Sequence, residues 1–107
     1  MRIIKTSELQ KVPEPWGVSI KIFKNESEKV EIGLFSVDPK KSMSVHTHED
    51  TDELIYVLEG KADFAVGNEE TELSEGSAVF IPRQIKHKAF NKGAKPYWCL
   101  YIVCPLK

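Results

Sequence analysis

Apolar and polar residues alternate with a period of two along most of this 107-residue chain, and this pattern constrains the fold more than any other feature. The alternation is clear over residues 18–22, 30–34 and 62–66, where apolar residues occupy every second position. Successive side chains of a β-strand point to opposite faces, so a period of two predicts strands. The predicted strands cover residues 18–24, 29–37, 43–48, 53–59, 61–66, 70–73, 77–82, 86–91 and 97–104. A single short helical turn is expected around Ser7–Lys11, ending before Pro13.

The residues between these strands support an all-β fold. Gly67 and Asn68 form a two-residue signal for a tight hairpin, and Pro39, Pro82 and Pro96 mark strand ends. Many short strands at close spacing predict an antiparallel sandwich or barrel. A parallel βαβ arrangement is excluded because the helices that it requires are missing. With no internal repeat and no linker, the whole chain is expected to form one domain.

Charge and hydropathy exclude several classes of function. The chain carries 15 Lys and Arg against 16 Asp and Glu, a formal net charge of −1, which removes the electrostatic basis of nucleic-acid binding. Its longest apolar run, residues 97–104, is far shorter than the ~20 residues that span a bilayer, so no membrane contact is expected. Residues 1–6 do not begin a secretory signal peptide, and we therefore expect a cytoplasmic protein.

The two cysteines, Cys99 and Cys104, agree with this location. Five positions apart in a strand, they would lie ~16 Å apart on opposite faces, which is too far for a disulfide bond. Both are expected to be free thiols that fill apolar space in a reducing compartment, without a catalytic role.

The three histidines of the chain suggest a metal site. His46 and His48 are two positions apart in a predicted strand, so their side chains would project from one face. A loop over residues 49–52 leads into the next strand, which could bring Glu53 back beside the histidine pair. His87 follows a proline-marked turn later in the chain. Three imidazoles and one carboxylate are a competent ligand set for a divalent first-row transition metal, and an octahedral ion would keep positions open.

Each part of this pattern also has a simpler explanation. Most single histidines lie at the surface or are hydrogen-bonded in the core, and two histidines separated by one residue are a weak signal. The polar residues 49–52 would serve equally as a solvated loop. The metal interpretation is favoured because every histidine of the chain falls within this one arrangement.

The spacing of these residues resembles the two sequence motifs of the cupins. The first motif, G-x5-H-x-H-x3,4-E-x6-G, is matched within residues 40–60 by His46, His48, Glu53 and Gly60. The second motif, G-x5-P-x-G-x2-H-x3-N, is matched within residues 76–91 by Gly76, Pro82, His87 and Asn91. Fifteen residues separate the two motifs, as in small microbial cupins. The chain is therefore identified as a member of the cupin superfamily on eight positions at fixed spacings.

Lys40 and Gln84 depart from these motifs, since each replaces a glycine. Glycine would supply a positive φ at each turn, which lysine and glutamine adopt less readily, so we expect altered turns or mildly strained residues there. Neither position is a metal ligand. Arg83 and Gln84 would lie beside the mouth of the site and are candidate substrate-binding residues, although an exposed turn explains them equally well.

The resemblance implies a fold and a cofactor. Residues 1–107 would form one cupin domain, a double-stranded β-helix or jelly-roll β-barrel, with room inside for one small ligand. One divalent transition metal ion would be bound by His46, His48, Glu53 and His87. Iron, manganese, nickel, copper and zinc all fit this ligand set. Iron or manganese would suit an oxygenase, whereas zinc or nickel would be expected in purified protein.

The resemblance also implies a range of activities. Cupins with these ligands include dioxygenases, decarboxylases, isomerases, epimerases and lyases, so we expect a metal-dependent enzyme acting on a small oxygenated molecule. A dioxygenase-like oxidoreductase is the first expectation, and a metal-dependent isomerase or lyase is the alternative. Glu53 could serve as both ligand and base, and the tyrosines are expected to be packing residues. A module that binds a sugar or another small ligand without turnover stays open, as does a purely structural metal.

Residues 97–104 are apolar on both faces, although a strand at the surface of a small barrel should have one polar face. Something must therefore cover the outer side, and apolar surfaces of this kind usually mark interfaces. Small cupins commonly pair through such sheets, which predicts a homodimer. The alternative is that the segment containing Trp16 covers this side.

Overall fold

The computed structural model describes residues 1–44 and 47–105. These residues form nine β-strands and one three-residue 3-10 helix, Thr6–Glu8, but no α-helix. The all-β prediction is confirmed, and the helical turn expected near Ser7–Lys11 corresponds to the 3-10 helix. Within the described part of the chain, no helix has the length and apolar character needed to cross a bilayer.

The strands belong to two antiparallel sheets. In chain order they are β1 (Val12–Glu14), β2 (Gly17–Asn25), β3 (Val30–Val37), β4 (Asp52–Glu59), β5 (Ala62–Val66), β6 (Glu69–Leu73), β7 (Ala78–Ile81), β8 (His87–Phe90) and β9 (Tyr97–Cys104). The large sheet has six strands in the order β1-β2-β3-β9-β4-β7, and the small sheet has three in the order β6-β5-β8. Strands far apart in sequence are therefore neighbours, and β4 and β9 lie inside the large sheet.

The core lies between the two sheets. Its buried members are Phe35, Val37, Ile55, Val57, Ala62, Phe64, Ile81, Ala89, Tyr97 and Cys99. The hydroxyl of Tyr97, on β9, donates a 2.8 Å hydrogen bond to the carbonyl of Phe90 on β8. Asn91, the last residue of the second motif, donates to the carbonyls of Val37 and Lys95. These bonds join the small sheet to the large one.

Strands β2 and β3 carry several polar residues on their inward face. Phe35 belongs to the core, so Gly33 and Glu31 share its inward face in the alternation of β3. Cross-strand pairing places Ser19 beside Phe35 and Lys21 beside Gly33 on that same face. The apolar alternation therefore predicts these strands, while their polar residues line an interior cavity.

Eight of the predicted strands match β2 to β9 within one residue at each end. The pattern does not predict β1, which pairs only with β2 at the edge of the large sheet. An edge strand tolerates Pro13 because one side of it needs no amide donor.

The strand predicted over residues 43–48 is wrong for the residues that the structure describes there, none of which is in a strand. At the start of this segment the backbone pairs with β8 through Ser42 and Met43. At its end, the carbonyl of His48 accepts a 2.6 Å hydrogen bond from the amide of Gln84. A turn, rather than a neighbouring strand, therefore satisfies this backbone carbonyl.

Residues 49–52 are only partly a solvated loop. Thr51 and Asp52 are buried, and Asp52 begins β4. Arg83 donates to the Asp52 carboxylate from its backbone amide and from its guanidinium group, each at 2.9 Å. Asp52 tolerates burial because this long-range ion pair, which the local sequence does not reveal, satisfies its oxygens.

Positive φ angles occur at the turns that the motifs predict. Gly67 begins the β5–β6 hairpin turn with a φ of 59°. Lys40 and Gln84, which replace the motif glycines, have φ values of 65° and 67°. Both turns keep the backbone conformation that glycine favours, and the expectation of mildly strained residues at these positions is confirmed.

Candidate metal centre

Glu53 lies on the inner face of the large sheet, at the centre of the candidate site. It is paired with Val103 of β9 on one side and with Ile81 of β7 on the other. The alternation of β4 places Glu53 on the same face as the core residues Ile55 and Val57. Its side chain is only 8% exposed. A carboxylate buried in this way requires partners that offset its loss of hydration.

His87 faces Glu53 from the small sheet. It is the first residue of β8, and Ala89, the next residue on its face, belongs to the core. His87 Nε2 lies 3.0 Å from Glu53 Oε1. On the other side of the ring, Nδ1 lies 3.2 Å from the carbonyl of Ile85, which can only accept a hydrogen bond, so Nδ1 donates. This contact orients the ring with Nε2 toward the site.

His48 approaches Glu53 from the segment that precedes β4. Its Nε2 lies 3.2 Å from the same Oε1 atom, and its ring centroid is 5.5 Å from that of His87. One ligand atom from each of the three residues lies within 4.8 Å of the others. His46, the fourth proposed ligand, lies outside the described residues. The structure thus brings together the three proposed ligands that it describes.

Burial and the neighbouring histidines shift the pKa of Glu53 in opposite directions. Burial raises the pKa of Glu53, but the hydrogen bonds and charges of His48 and His87 together outweigh it and lower the pKa from 4.5 to about 2. The hydrogen bond to Glu53 raises the pKa of His48 above its ordinary value, against the smaller opposing effect of burial. The two imidazoles therefore stabilise the ionised form of this buried carboxylate.

The donor set fits a divalent transition metal ion. Imidazole nitrogens and carboxylate oxygens bind such ions at ~2.0–2.2 Å, so neighbouring donors around one ion lie about 3 Å apart. The distances from Glu53 to the two imidazoles, 3.0 and 3.2 Å, already have this spacing. Both the chemistry and the spacing of the three donors therefore suit one divalent cation.

These three residues line one wall of an interior cavity of about 400 Å³. Much of the remaining wall is apolar and includes Trp16, Phe35 and Phe64. Trp16 packs edge-to-face on Phe35, with ring centroids 6.3 Å apart. Trp16 therefore lies inside the barrel rather than over the outer side of β9. A cavity of this size holds one small molecule beside the metal donors.

Glu31 and Tyr101 also line the cavity, although the sequence does not single them out as site residues. The Tyr101 hydroxyl donates a 2.6 Å hydrogen bond to Glu31 Oε2. Burial raises the pKa of Tyr101, and the bond to a carboxylate raises it further. From the sequence, Tyr101 is expected to be a packing residue. The one signal available in the sequence is an acidic residue, Glu31, two positions from Gly33 on the same predicted strand.

Arg83 and Gln84 lie in the turn between β7 and β8, outside the set of described residues that line the cavity. Arg83 is paired with Asp52, and Gln84 Nε2 lies 3.4 Å from the carbonyl of Glu49. These contacts tie the turn to the segment that carries His48. Contact of either residue with a substrate stays a prediction.

The fold, the motif spacing and the convergent histidine and glutamate side chains define a class of protein. The chain belongs to the cupin family, because the family profile of the cupin domain matches residues 33–103. It is 29% identical over 75 residues to the tetracenomycin polyketide synthase protein TcmJ of Streptomyces glaucescens, covering 70% of this chain and 50% of that protein. It is 30% identical over 83 residues to the uncharacterised protein MJ1618 of Methanocaldococcus jannaschii, covering 78% of this chain and 62% of that protein. The chain thus spans 50–62% of the length of these two curated relatives.

Solved structures share the fold. TT1209 from Thermus thermophilus has a TM-score of 0.81 and 31% identity, with 98% of each chain covered. A predicted oxalate decarboxylase from Thermotoga maritima has a TM-score of 0.86 at 18% identity, covering 98% of this chain and 100% of that one. KdgF from Halomonas has a TM-score of 0.85 at 18% identity, covering 100% of this chain and 96% of that one. The last two likenesses show the fold alone, and together the comparisons confirm the jelly-roll prediction.

We expect the metal-free protein to lose stability as the pH falls toward the folded pKa of Glu53. Because this pKa is lowered on folding, Glu53 stabilises the folded state above pH 4.5, and the contribution is lost progressively between about 4.5 and about 2. Urea unfolding at a series of pH values measures the effect. The Glu53→Gln variant should show a shallower decline in this window.

The control is Glu72→Gln, at an exposed position of β6, which should follow the wild type. If Glu53→Gln declined as steeply as the wild type, Glu53 would not be held ionised by the two histidines.

Proposed function

We propose that this protein is a mononuclear metal-binding cupin enzyme that acts on a small oxygenated molecule. The observation that carries the proposal is the convergence of His48, Glu53 and His87 on the wall of a cavity of about 400 Å³. Structural metal sites are normally closed by protein ligands. Because these donors border a cavity of this size, a ligand could reach a metal ion bound there, which favours a catalytic site over a structural one.

One divalent transition metal ion would be bound by His48, Glu53 and His87, with His46 as the fourth ligand proposed from the motif. Iron, manganese, nickel, copper and zinc all accept this ligand set. When bound, such an ion would supply Lewis-acid or redox chemistry toward an oxygenated substrate.

The residues of the chain would bind and orient that substrate. Trp16, Phe35 and Phe64 provide apolar walls that exclude water and so strengthen electrostatic interactions inside the cavity. The carbonyl of Ile85 holds the His87 ring in one orientation. Glu53, whose lowered pKa keeps it ionised, would serve first as a ligand and could also accept a proton from the substrate at a carboxylate oxygen.

The reaction type that we favour is that of a dioxygenase-like oxidoreductase, since the apolar cavity suits a reaction that must exclude water. A metal-dependent isomerase or lyase is the second candidate, with Glu53 on the cavity wall as its candidate base. Binding of a sugar or another small ligand without turnover is the remaining alternative.

The two cysteines support a cytoplasmic location, which we propose. Cys99 and Cys104 are free thiols. Burial raises the pKa of the Cys99 thiol to about 12, so it stays protonated and unreactive at neutral pH.

Removing one proposed ligand should abolish tight metal binding. Changes to residues that only support a ligand cost ~10–100-fold in affinity, so His46→Ala, His48→Ala and His87→Ala should each lose at least that much. Equilibrium dialysis against zinc or manganese, followed by elemental analysis, measures the bound metal. Thr47→Ala, in the same segment, is the control and should keep the wild-type content. Undiminished metal in all three histidine variants would refute the site.

The dioxygenase proposal predicts oxygen uptake by freshly prepared, metal-loaded protein. An oxygen electrode records consumption over a panel of enediols, diketones, catechols and thiols, and His87→Ala should consume none above background. Product formation without oxygen uptake would contradict the dioxygenase and support an isomerase or lyase. Specific sugar binding with no product would support the binding module.

The outer face of the large sheet is apolar across neighbouring strands. Leu54 of β4 is paired with Phe80 of β7 and with Ile102 of β9, and Tyr56 is paired with Leu100. Leu54, Tyr56 and Phe80 are 37%, 40% and 49% exposed. We propose that this outer face binds a second copy of the chain, because a two-fold axis would pack the same apolar surface against itself.

The homodimer predicts a solution mass of twice the 12.2 kDa chain. Phe80→Glu should convert it to monomer, since a charge buried in an apolar interface has no partner there. Light scattering at micromolar concentration measures the mass, with Ile3→Glu, at an exposed N-terminal position, as the control. A monomeric wild type would contradict the dimer.

A further inference from the structure

The wall of the cavity contains a second polar group besides the metal donors. The Tyr101 hydroxyl donates a 2.6 Å hydrogen bond to Glu31 Oε2, and both residues line the same cavity as Glu53. We call these two residues the Glu31–Tyr101 pair. Glu31, Val103 and Glu53 are in register across β3, β9 and β4, so the backbones of the two glutamates lie about 10 Å apart.

The backbone of β3 is shaped to admit this pair. Gly33 is the cross-strand partner of Tyr101. A Cβ atom at Gly33 would lie 2.5 Å from the Tyr101 hydroxyl oxygen and 2.6 Å from its ring, closer than real contacts of a Cβ atom. The absence of a side chain at Gly33 therefore lets the Tyr101 ring lie over β3 with its hydroxyl directed to Glu31.

The pair offers hydrogen-bond acceptors to the cavity. Tyr101 has one hydroxyl proton and gives it to Glu31, so the phenolic oxygen has acceptor capacity left. Glu31 as a carboxylate can only accept, and its Oε1 atom meets Lys24 Nζ at 3.9 Å, too long for a hydrogen bond. A ligand group that complements this wall must therefore donate a proton.

The charges around the cavity also favour a ligand group that donates a hydrogen bond over one that carries a negative charge. Among the described residues that line it, Glu14, Glu31 and Glu53 are carboxylates, whereas Lys21 is the ammonium group. A divalent ion at the metal centre would offset the charge of Glu53, whose backbone lies two strands away from that of Glu31. A second carboxylate on a ligand would meet Glu31 as a like charge in a setting of reduced dielectric.

We propose that the Glu31–Tyr101 pair binds a hydroxyl group of a ligand whose other oxygen function reaches the metal donors, and selects against ligands with a carboxylate in place of that hydroxyl. The ligand class is thus a compact molecule with an oxygen function for the metal and a hydroxyl donor several atoms away. The inference rests on the proposed function, because the other end of the ligand is assigned to the metal donors.

A matched set of three probes tests this assignment: benzoate, 3-hydroxybenzoate and isophthalate. They share one ring and one carboxylate and differ by a hydrogen, a hydroxyl or a second carboxylate at the same ring position. Affinities are measured by calorimetry with zinc-loaded and with metal-free protein. We expect 3-hydroxybenzoate to bind on the order of tenfold tighter than benzoate, and isophthalate to bind more weakly than benzoate.

Variants assign the effect to the pair. Glu31→Gln should remove most of the hydroxyl preference and relieve the exclusion of isophthalate, because the charge is lost and an amide donor is gained. Tyr101→Phe should reduce the hydroxyl preference while keeping the exclusion of isophthalate. Glu28→Gln makes the same change as Glu31→Gln at an exposed position and should behave as the wild type.

The comparison also separates this inference from the proposed function. Elemental analysis of the same samples reports metal content, so a wild type without metal would contradict the metal site, while a hydroxyl preference in the metal-free titrations would still support the pair. Equal affinities for the three probes in the wild type would overturn the inference, as would a preference that Glu31→Gln leaves unchanged.

Discussion

The contact of one buried carboxylate with two imidazoles organises this molecule. Glu53 belongs to the large sheet, His87 to the small sheet and His48 to the segment before β4, so their contacts at 3.0 and 3.2 Å join three separate parts of the chain. Breaking a buried ion pair by removing one partner costs about 3–5 kcal/mol, so the polar centre is stable only while it is complete. A structure that holds this carboxylate and two imidazoles together inside its core retains a site that suits a divalent cation.

The polar centre also explains the unusual distribution of side chains. In β2 and β3 the inward positions include Ser19, Lys21 and Glu31, because a cavity rather than packed core lies beside them. Ile32 and Leu34 of β3 lie on the outer face, continuous with the apolar outer positions of β4, β7 and β9. The polar inward positions thus line a ligand cavity, and the apolar outer positions form the surface proposed to bind a second copy. Both surfaces follow from the same alternation of side chains along these strands.

The sequence predicts those features that depend on short spacings. Period-two alternation locates β2 to β9, and fixed spacings place Glu53 on β4 and His87 at the start of β8. Features that depend on contacts between distant parts of the chain are not predicted. The pairing of Gly33 with Tyr101 lets the Tyr101 hydroxyl reach Glu31. The ion pair with Arg83 allows Asp52, predicted to lie in a solvated loop, to be buried. The segment 43–48 is predicted as a strand because local alternation cannot show that the carbonyl of His48 bonds to a turn.

The proposed metal centre is tested most directly by diffraction from crystals grown with manganese, using anomalous scattering to locate the ion. We expect one strong anomalous peak bonded to Nε2 of His48, Nε2 of His87 and a carboxylate oxygen of Glu53, each within ~2.0–2.3 Å. The peak should border the cavity that Trp16 and Tyr101 line. An ordered cluster with direct contacts between Glu53 and the two imidazoles and no ion between them, at manganese concentrations well above those in cells, would contradict the central claim.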